Sequence, residues 1–197
     1  MPRSFALALA TSFVVAACGG TAQPAATATR PITTTGGAAT AAPTPTPNAA
    51  PATTAVVELE KGGSFTISLR SDKAPNTVAN FAKKARAGDY AGTTFHRVVP
   101  GFVAQGGDPY SKTGGGQVGT GGGTQPTELN DLPFALGAVG VARGTDIKIS
   151  NASQFFVTTG DAPHLNGQYT NFGQITLGMD VVQGIKIGDK IKTIRVS

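Results

Sequence analysis

The stretch FHRVVPGFVAQGGD, Phe95 to Asp108, decides how the rest of the chain is read. It sets one arginine, Arg97, among aromatic and branched residues, turns at Pro100-Gly101, and runs on through Gln105 into two glycines. Apolar residues on both sides of a Pro-Gly corner predict two short strands. The stretch holds no nucleophile beside a base, no acid-base pair and no metal-ligand spacing. Any chemistry here is therefore left to a positioned donor on an apolar surface.

Upstream, VVELEKGGSFTISLR reads as a hairpin, because Val57 and Leu59, then Phe65, Ile67 and Leu69, alternate around a Lys61-Gly62-Gly63 turn. A helix follows: Pro75 suits its first turn, Val78, Phe81, Ala82 and Ala85 share one face, and Gly88 is placed to end it. Downstream, strand signals return in GAVGVAR, SQFFVTT and IKTIRVS, with a short helix expected around Gly178 to Gln183. The segment from Asp108 to Leu132, containing TGGGQVGTGGGT, is expected to be a surface excursion whose glycines permit positive φ. Short strands divided by glycine-rich turns predict a mainly β fold. A closed antiparallel β-barrel with helices over its ends suits the pattern better than a sandwich or an alternating α/β sheet.

The ends differ in composition from this domain. Arg3 and the apolar run Phe5 to Ala17 suit a secretory signal peptide and are too short to span a bilayer. Val15-Ala16-Ala17-Cys18 resembles the lipobox of bacterial lipoproteins. That resemblance implies a leader over 1–17, lipidation of Cys18, and an exported protein anchored to the bacterial cell membrane or envelope. Residues 18–55 are rich in Ala, Thr and Pro, as in AAPTPTPNAAPATTA, and are expected to form a disordered tether. Its reach would be about 35 Å as a flexible coil and at most about 115 Å as polyproline II. The folded domain is expected over 56–197.

Several function classes are excluded at this level. Of 16 Lys and Arg only Arg3 and Arg30 precede Val56, and all 11 Asp and Glu follow it, so the domain carries a small, scattered positive excess. That is a poor footprint for nucleic acid. The glycine run lacks the Gly-Lys-Ser/Thr ending of a phosphate loop. His96 and His164 are the only histidines and Cys18 the only cysteine, so no metal, cofactor or internal disulfide is expected. Neither histidine sits in a hydrolase motif.

Three motifs, FHRVVPGFVAQGGD, NASQFFVTT at 151–159 and HLNGQYTNFGQI at 164–175, together with GGGTQPTELN, resemble the cyclophilin family of peptidyl-prolyl cis-trans isomerases in order along nearly the whole domain. The resemblance implies a closed eight-stranded antiparallel β-barrel capped by two α-helices, with the active groove on its outside. It implies that Arg97 is the essential arginine and Gln105 the glutamine that orients it. Phe102 and Phe156 would hold the substrate proline, with Val103 and Leu165 completing the pocket. Gln154 matches a second polar groove residue, and Ala142 and Arg143 fall where the family lines the neighbouring subsite. Four positions depart from the best-known eukaryotic pattern: its tryptophan is His164 here, its pocket methionine Val103, its groove histidine Tyr169 and its peptide-binding asparagine Arg143. His96, next to Arg97 on an alternating strand, is expected to point the opposite way into a packed or hydrogen-bonded site.

The implied function is peptidyl-prolyl cis-trans isomerisation in exported or envelope proteins, with proline-containing polypeptides as partners and a monomeric state. The alternative is a proline-peptide-binding or chaperone module with little turnover. Retention of Arg97, Phe102, Gln105 and Phe156 favours the enzyme, since binding alone would not require the arginine and glutamine together.

Overall fold

A computed structural model describes residues 52–197. The leader 1–17, Cys18 and the tether as far as Pro51 lie outside the described residues. Strands β1 (Thr54–Leu59) and β2 (Ser64–Leu69) form the expected hairpin, with Val57 opposite Phe65. Gly62 and Gly63 turn at φ 91° and 86°, a region that favours glycine. Ala52 and Ala55 are buried and β1 starts at Thr54, so the fold begins ahead of the Val56 boundary. Small residues that look like tether in composition here fill space under a sheet.

Helix α1 (Pro75–Ala87) buries Val78, Phe81, Ala82 and Ala85, and ends at Gly88 with φ 77°. Its start has no local side-chain cap. The remote Glu128 carboxylate serves instead, accepting from the Asn76 and Thr77 backbone N–H groups at 3.0 and 2.7 Å. Burial opposes ionisation of Glu128, but these donors hold its carboxyl below the usual value. One contact thus satisfies orphan helix donors and pins the long loop to the domain.

The chain continues through β3 (Phe95–Val99), β4 (Val103–Gly106), a single turn α2 (Tyr110–Thr113), β5 (Thr124–Pro126), β6 (Ala138–Arg143) and β7 (Ile149–Thr158). A 3-10 turn at Pro163–Leu165, β8 (Asn171–Leu177), α3 (Met179–Gln183) and β9 (Ile191–Val196) complete it. All pairings are antiparallel, in the order β3-β4-β7-β6-β8-β2-β1-β9, with β5 added on the first residues of β7.

This path corrects the expectation of a closed barrel. The terminal strands β3 and β9 meet only through an isolated bridge, Thr94 with Lys190, and a few neighbouring backbone hydrogen bonds such as Phe95 N–H to Asp189 O at 2.8 Å. Beyond Ile191, β9 gives its pairing to β1, and β3 beyond Phe95 pairs with β4 alone. The sheet is curled and open. Of the two expected helices, α1 packs on β9 and β7, whereas α3 is little more than one turn against β2.

Side chains divide between two apolar clusters on opposite faces of the sheet. The main core includes Phe65, Ile67, Phe95, Phe155 and Phe172. Phe81 from α1 enters it, with ring centroids 5.3 Å from Tyr90 and Phe172 and 5.7 Å from Phe155. The second cluster contains Val103, Phe134, Ala138, Phe156, Ala162 and Leu165, with Phe102 and Tyr169 packed against it. Consecutive residues of β7 serve different clusters: Phe155 joins the core and Phe156 the outer face.

Candidate active site

The outer cluster floors a groove of about 260 Å³ lined by Arg97, Phe102, Val103, Gln105, Ala142, Arg143, Phe156, Leu165 and Tyr169. How Arg97 reaches it depends on a β-bulge. Phe95 pairs with Gly106 but Arg97 pairs with Gln105, so β3 carries one extra residue, His96, at this point. Regular alternation would put Phe95 and Arg97 on the same face. The bulge changes the parity instead: Phe95 is fully buried in the main core, Val98 packs against that core, and Arg97 emerges into the groove.

From Arg97 a row of directly opposed residues crosses four strands: Arg97 with Gln105, Gln105 with Phe156, and Phe156 with Gly140. Directly opposed residues share a face, so charge, amide and aromatic ring stand side by side on the outer surface. Gly140 makes room for the ring. A Cβ there would overlap Phe156 and lie 2.7 Å from Phe134 Cε1. Phe134 and Phe156 stack beside it, centroids 5.6 Å apart. Sequence reasoning missed Gly140, although a glycine between Val139 and Val141 in a strand signals close approach by another group.

Two expected contacts are corrected. Gln105 does not bond Arg97; its Nε2 donates to Gln154 Oε1 at 3.0 Å. Gln154 does not line the groove but is buried behind it, with Nε2 donating to Gly121 O at 2.8 Å, Gly119 O at 3.0 Å and Asp108 Oδ2 at 3.2 Å. Three inward acceptors fix which end of the Gln154 amide faces inward. Its carbonyl therefore faces Gln105, whose NH₂ is used on it, leaving the Gln105 carbonyl oxygen as the atom available toward the groove. Asp108, which sequence reasoning passed over, is fully buried and accepts from the backbone N–H groups of Tyr110 at 2.8 Å, Gly121 at 3.2 Å and Gly119. This amide nest gathers the glycine-rich loop beneath the site. Gly114, Gly119, Gly122 and Gly123 have positive φ, as that loop's composition predicted.

Among the described residues the Arg97 guanidinium makes no ion pair. Its Cζ lies 5.6 Å from the Phe102 ring centroid. His164 does not line the groove; it is exposed and lies against Phe102, centroids 5.3 Å apart. Tyr169 meets Phe156 edge-on at 5.8 Å and is covered by the Arg143 guanidinium, whose Cζ is 4.4 Å from the ring centroid. Val103 and Leu165 are buried in the floor, and Ala142 forms part of the wall.

His96 is half-buried, with both ring nitrogens covered but unsatisfied. Among the described residues neither ring nitrogen has a hydrogen-bond partner, and the nearby Thr94 backbone and Gln154 amide do not reach bonding geometry. Burial pushes the imidazole below its ordinary value of 6.5, against the opposing pull of the Asp108 carboxylate. Of the two expected settings, packed or hydrogen-bonded, the structure gives the first, since among the described residues no hydrogen bond reaches the ring.

A family model described as cyclophilin type peptidyl-prolyl cis-trans isomerase/CLD matches residues 54–196. The chain belongs to the cyclophilin family. A probable peptidyl-prolyl cis-trans isomerase of Brucella suis is 43% identical over 148 residues, spanning 71% of this chain and 74% of that protein. Peptidyl-prolyl cis-trans isomerase B of Bacillus subtilis is 42% identical over 142 residues, 70% of this chain and 94% of that protein. A crystal structure of a Cryptosporidium parvum cyclophilin type isomerase, determined in the presence of the dipeptide Ala-Pro, matches with a TM-score of 0.64 at 26% identity, covering 73% of this chain and 98% of that one.

Two outcomes are expected of this cyclophilin. Gly140→Ala should force the Phe156 ring aside, at a stability cost of about 1–3 kcal/mol, and weaken binding of a proline peptide at least about 10-fold; peptide titration alongside urea unfolding checks this, and unchanged affinity would separate Phe156 from the binding groove. His96, with a folded-state value below its unfolded one, contributes no penalty above pH 6.5 and a growing one as pH falls below it. Unfolding free energy should therefore decline on acidification below about pH 6.5 before most carboxylates titrate, and His96→Gln should remove that part of the decline in urea melts at stepped pH.

Proposed function

We propose that this cyclophilin accelerates rotation about X-Pro bonds in exported or envelope proteins, assisting their folding from a lipid anchor at Cys18. The observation that carries the enzymatic reading is the row Arg97, Gln105, Phe156 and Gly140, which stands an unpaired guanidinium beside an apolar pocket with its polar support buried behind it.

The chemistry needs only that. Rotation about an X-Pro amide is slow because it breaks conjugation between nitrogen and carbonyl, a barrier of roughly 18–20 kcal/mol. No bond is cleaved, so neither nucleophile nor cofactor is required. Phe102, Val103, Phe156 and Leu165 hold the pyrrolidine ring while the preceding residue turns. As the amide twists, the nitrogen lone pair localises, and Arg97 donates toward it from a permanent charge. Gln105 stands opposite Arg97 in the register and brings no competing charge beside the guanidinium. Reaching about 10³ turnovers per second requires roughly 7 kcal/mol of preferential binding of the twisted state.

The bond class is supported by relatives named peptidyl-prolyl cis-trans isomerases and by the Ala-Pro dipeptide used with the Cryptosporidium protein. Export and anchoring rest on the sequence: the apolar run ending in Val15-Ala16-Ala17-Cys18 and a tether long enough to hold the domain off a membrane. Acylation with two or more chains gives stable attachment, where one chain is marginal.

A proline-isomerisation assay on the full chain should show catalysis that falls about 10²- to 10³-fold in kcat/KM in Arg97→Ala. Equal activity in both proteins would overturn the mechanism, and activity in neither would leave a binding module. For the anchor, Cys18→Ala should move the chain from the membrane to the soluble fraction on cell fractionation; unchanged retention would defeat the lipoprotein reading.

A further inference from the structure

We propose that the groove selects proline segments carrying an acidic side chain next to the proline, and that Arg143 is the residue that reads it. This rests on the groove being the site of X-Pro binding.

Charge balance in the groove is one-sided. Its lining includes two guanidiniums, Arg97 and Arg143, and no carboxylate. The six ion pairs among the described residues all lie elsewhere, so neither arginine is neutralised. In the turn after Arg143, Asp146 is exposed, its Oδ1 accepts from the Lys148 backbone N–H at 2.8 Å, and among the described residues it forms no ion pair with Arg143.

Arg143 is also held in place. Its Nε donates to Gln168 O and its Nη1 to Gly144 O, both at 2.8 Å, and its plane covers the Tyr169 ring. Carbonyl acceptors orient a guanidinium without removing its charge. They occupy Nε and Nη1, and Nη2 is left without a recorded partner among the described residues. A side chain locked on both an aromatic face and backbone carbonyls loses little rotamer freedom when a carboxylate arrives, which is the usual deduction from an exposed ion pair. Arg97 is committed to the reacting amide, so Arg143 is the cation left for a flanking side chain.

The test uses the full chain with short peptides bearing Glu, Gln or Lys at each position flanking a single proline, with kcat/KM and, by titration, Kd measured for each. At one flanking position, Glu is expected to exceed Lys by about 5- to 10-fold at low salt, with Gln between them. The ratio should approach one in 1 M salt, where the screening length is about 3 Å. Arg143→Gln should bring it within about two-fold, and Arg143→Lys should keep part of it. A purely structural role for Arg143 on Tyr169 would lower all peptides together and leave the ratio intact. No position with a Glu-over-Lys advantage above two-fold, or an advantage that survives Arg143→Gln, overturns the proposal. If no peptide is turned over, the isomerase reading fails while the Kd ratios still decide the charge selectivity.

Discussion

One extra residue in β3 sets the rest of the site. Without the bulge at His96, Arg97 would follow Phe95 into the main core, where an unpaired guanidinium is far too costly to bury. With it, Phe95 stays inside, Val98 returns inside, and the charge emerges opposite Gln105. The displaced residue ends in an enclosed position where its ring nitrogens find no partner. A neutral imidazole tolerates that better than any permanently charged side chain. The cost of placing Arg97 outside thus falls on its neighbour, as unsatisfied ring nitrogens.

Behind the outer row lies a buried polar chain that gives the groove its orientation. Asp108 collects backbone donors from the glycine-rich loop and, with the Gly119 and Gly121 carbonyls, fixes the Gln154 amide. Gln154 in turn fixes Gln105. Each amide has one donor end and one acceptor end, so specifying the first specifies the next. Glycines make this possible by close approach as well as by positive φ: a Cβ on Gly121 would overlap Asp108 and lie 2.9 Å from the Tyr110 ring. The site is thus oriented by the protein's own buried groups, which suits a reaction catalysed by electrostatic positioning alone.

Much of the fold was legible because local patterns and tertiary placement agreed. The β1–β2 hairpin and α1 follow their apolar periodicity, and Gly88 ends the helix as expected. Strand β8 was not recognised as a strand. Asn171 and Gly173 interrupt its pattern, and its pairings with β2 and β6 both shift register, so period-two alternation does not run through it. Strand β5 is three residues long and exists only because β7 offers it an edge. Closure of the barrel was misjudged for a related reason. Whether β3 and β9 zip together depends on the sheet's curvature, and neither strand's own sequence encodes it.

The amino-acid sequence by itself determined which residue types meet at the site: an arginine, a glutamine, apolar walls and no competing nucleophile, in three motifs whose order identifies the family. Only the tertiary structure decided how they bond and face. It sent Arg97 outward through a bulge, moved Gln154 from the groove into the interior, engaged the Gln105 NH₂ on Gln154, and spread Arg143 over Tyr169. The physical reason is that residue type is a local property, whereas face, hydrogen-bond direction and charge neutralisation depend on partners far away in sequence. Asp108 and Gln154 are 46 residues apart, and Arg143 and Gln168 are 25 apart, yet those contacts orient the side chains that line the groove and lie behind it.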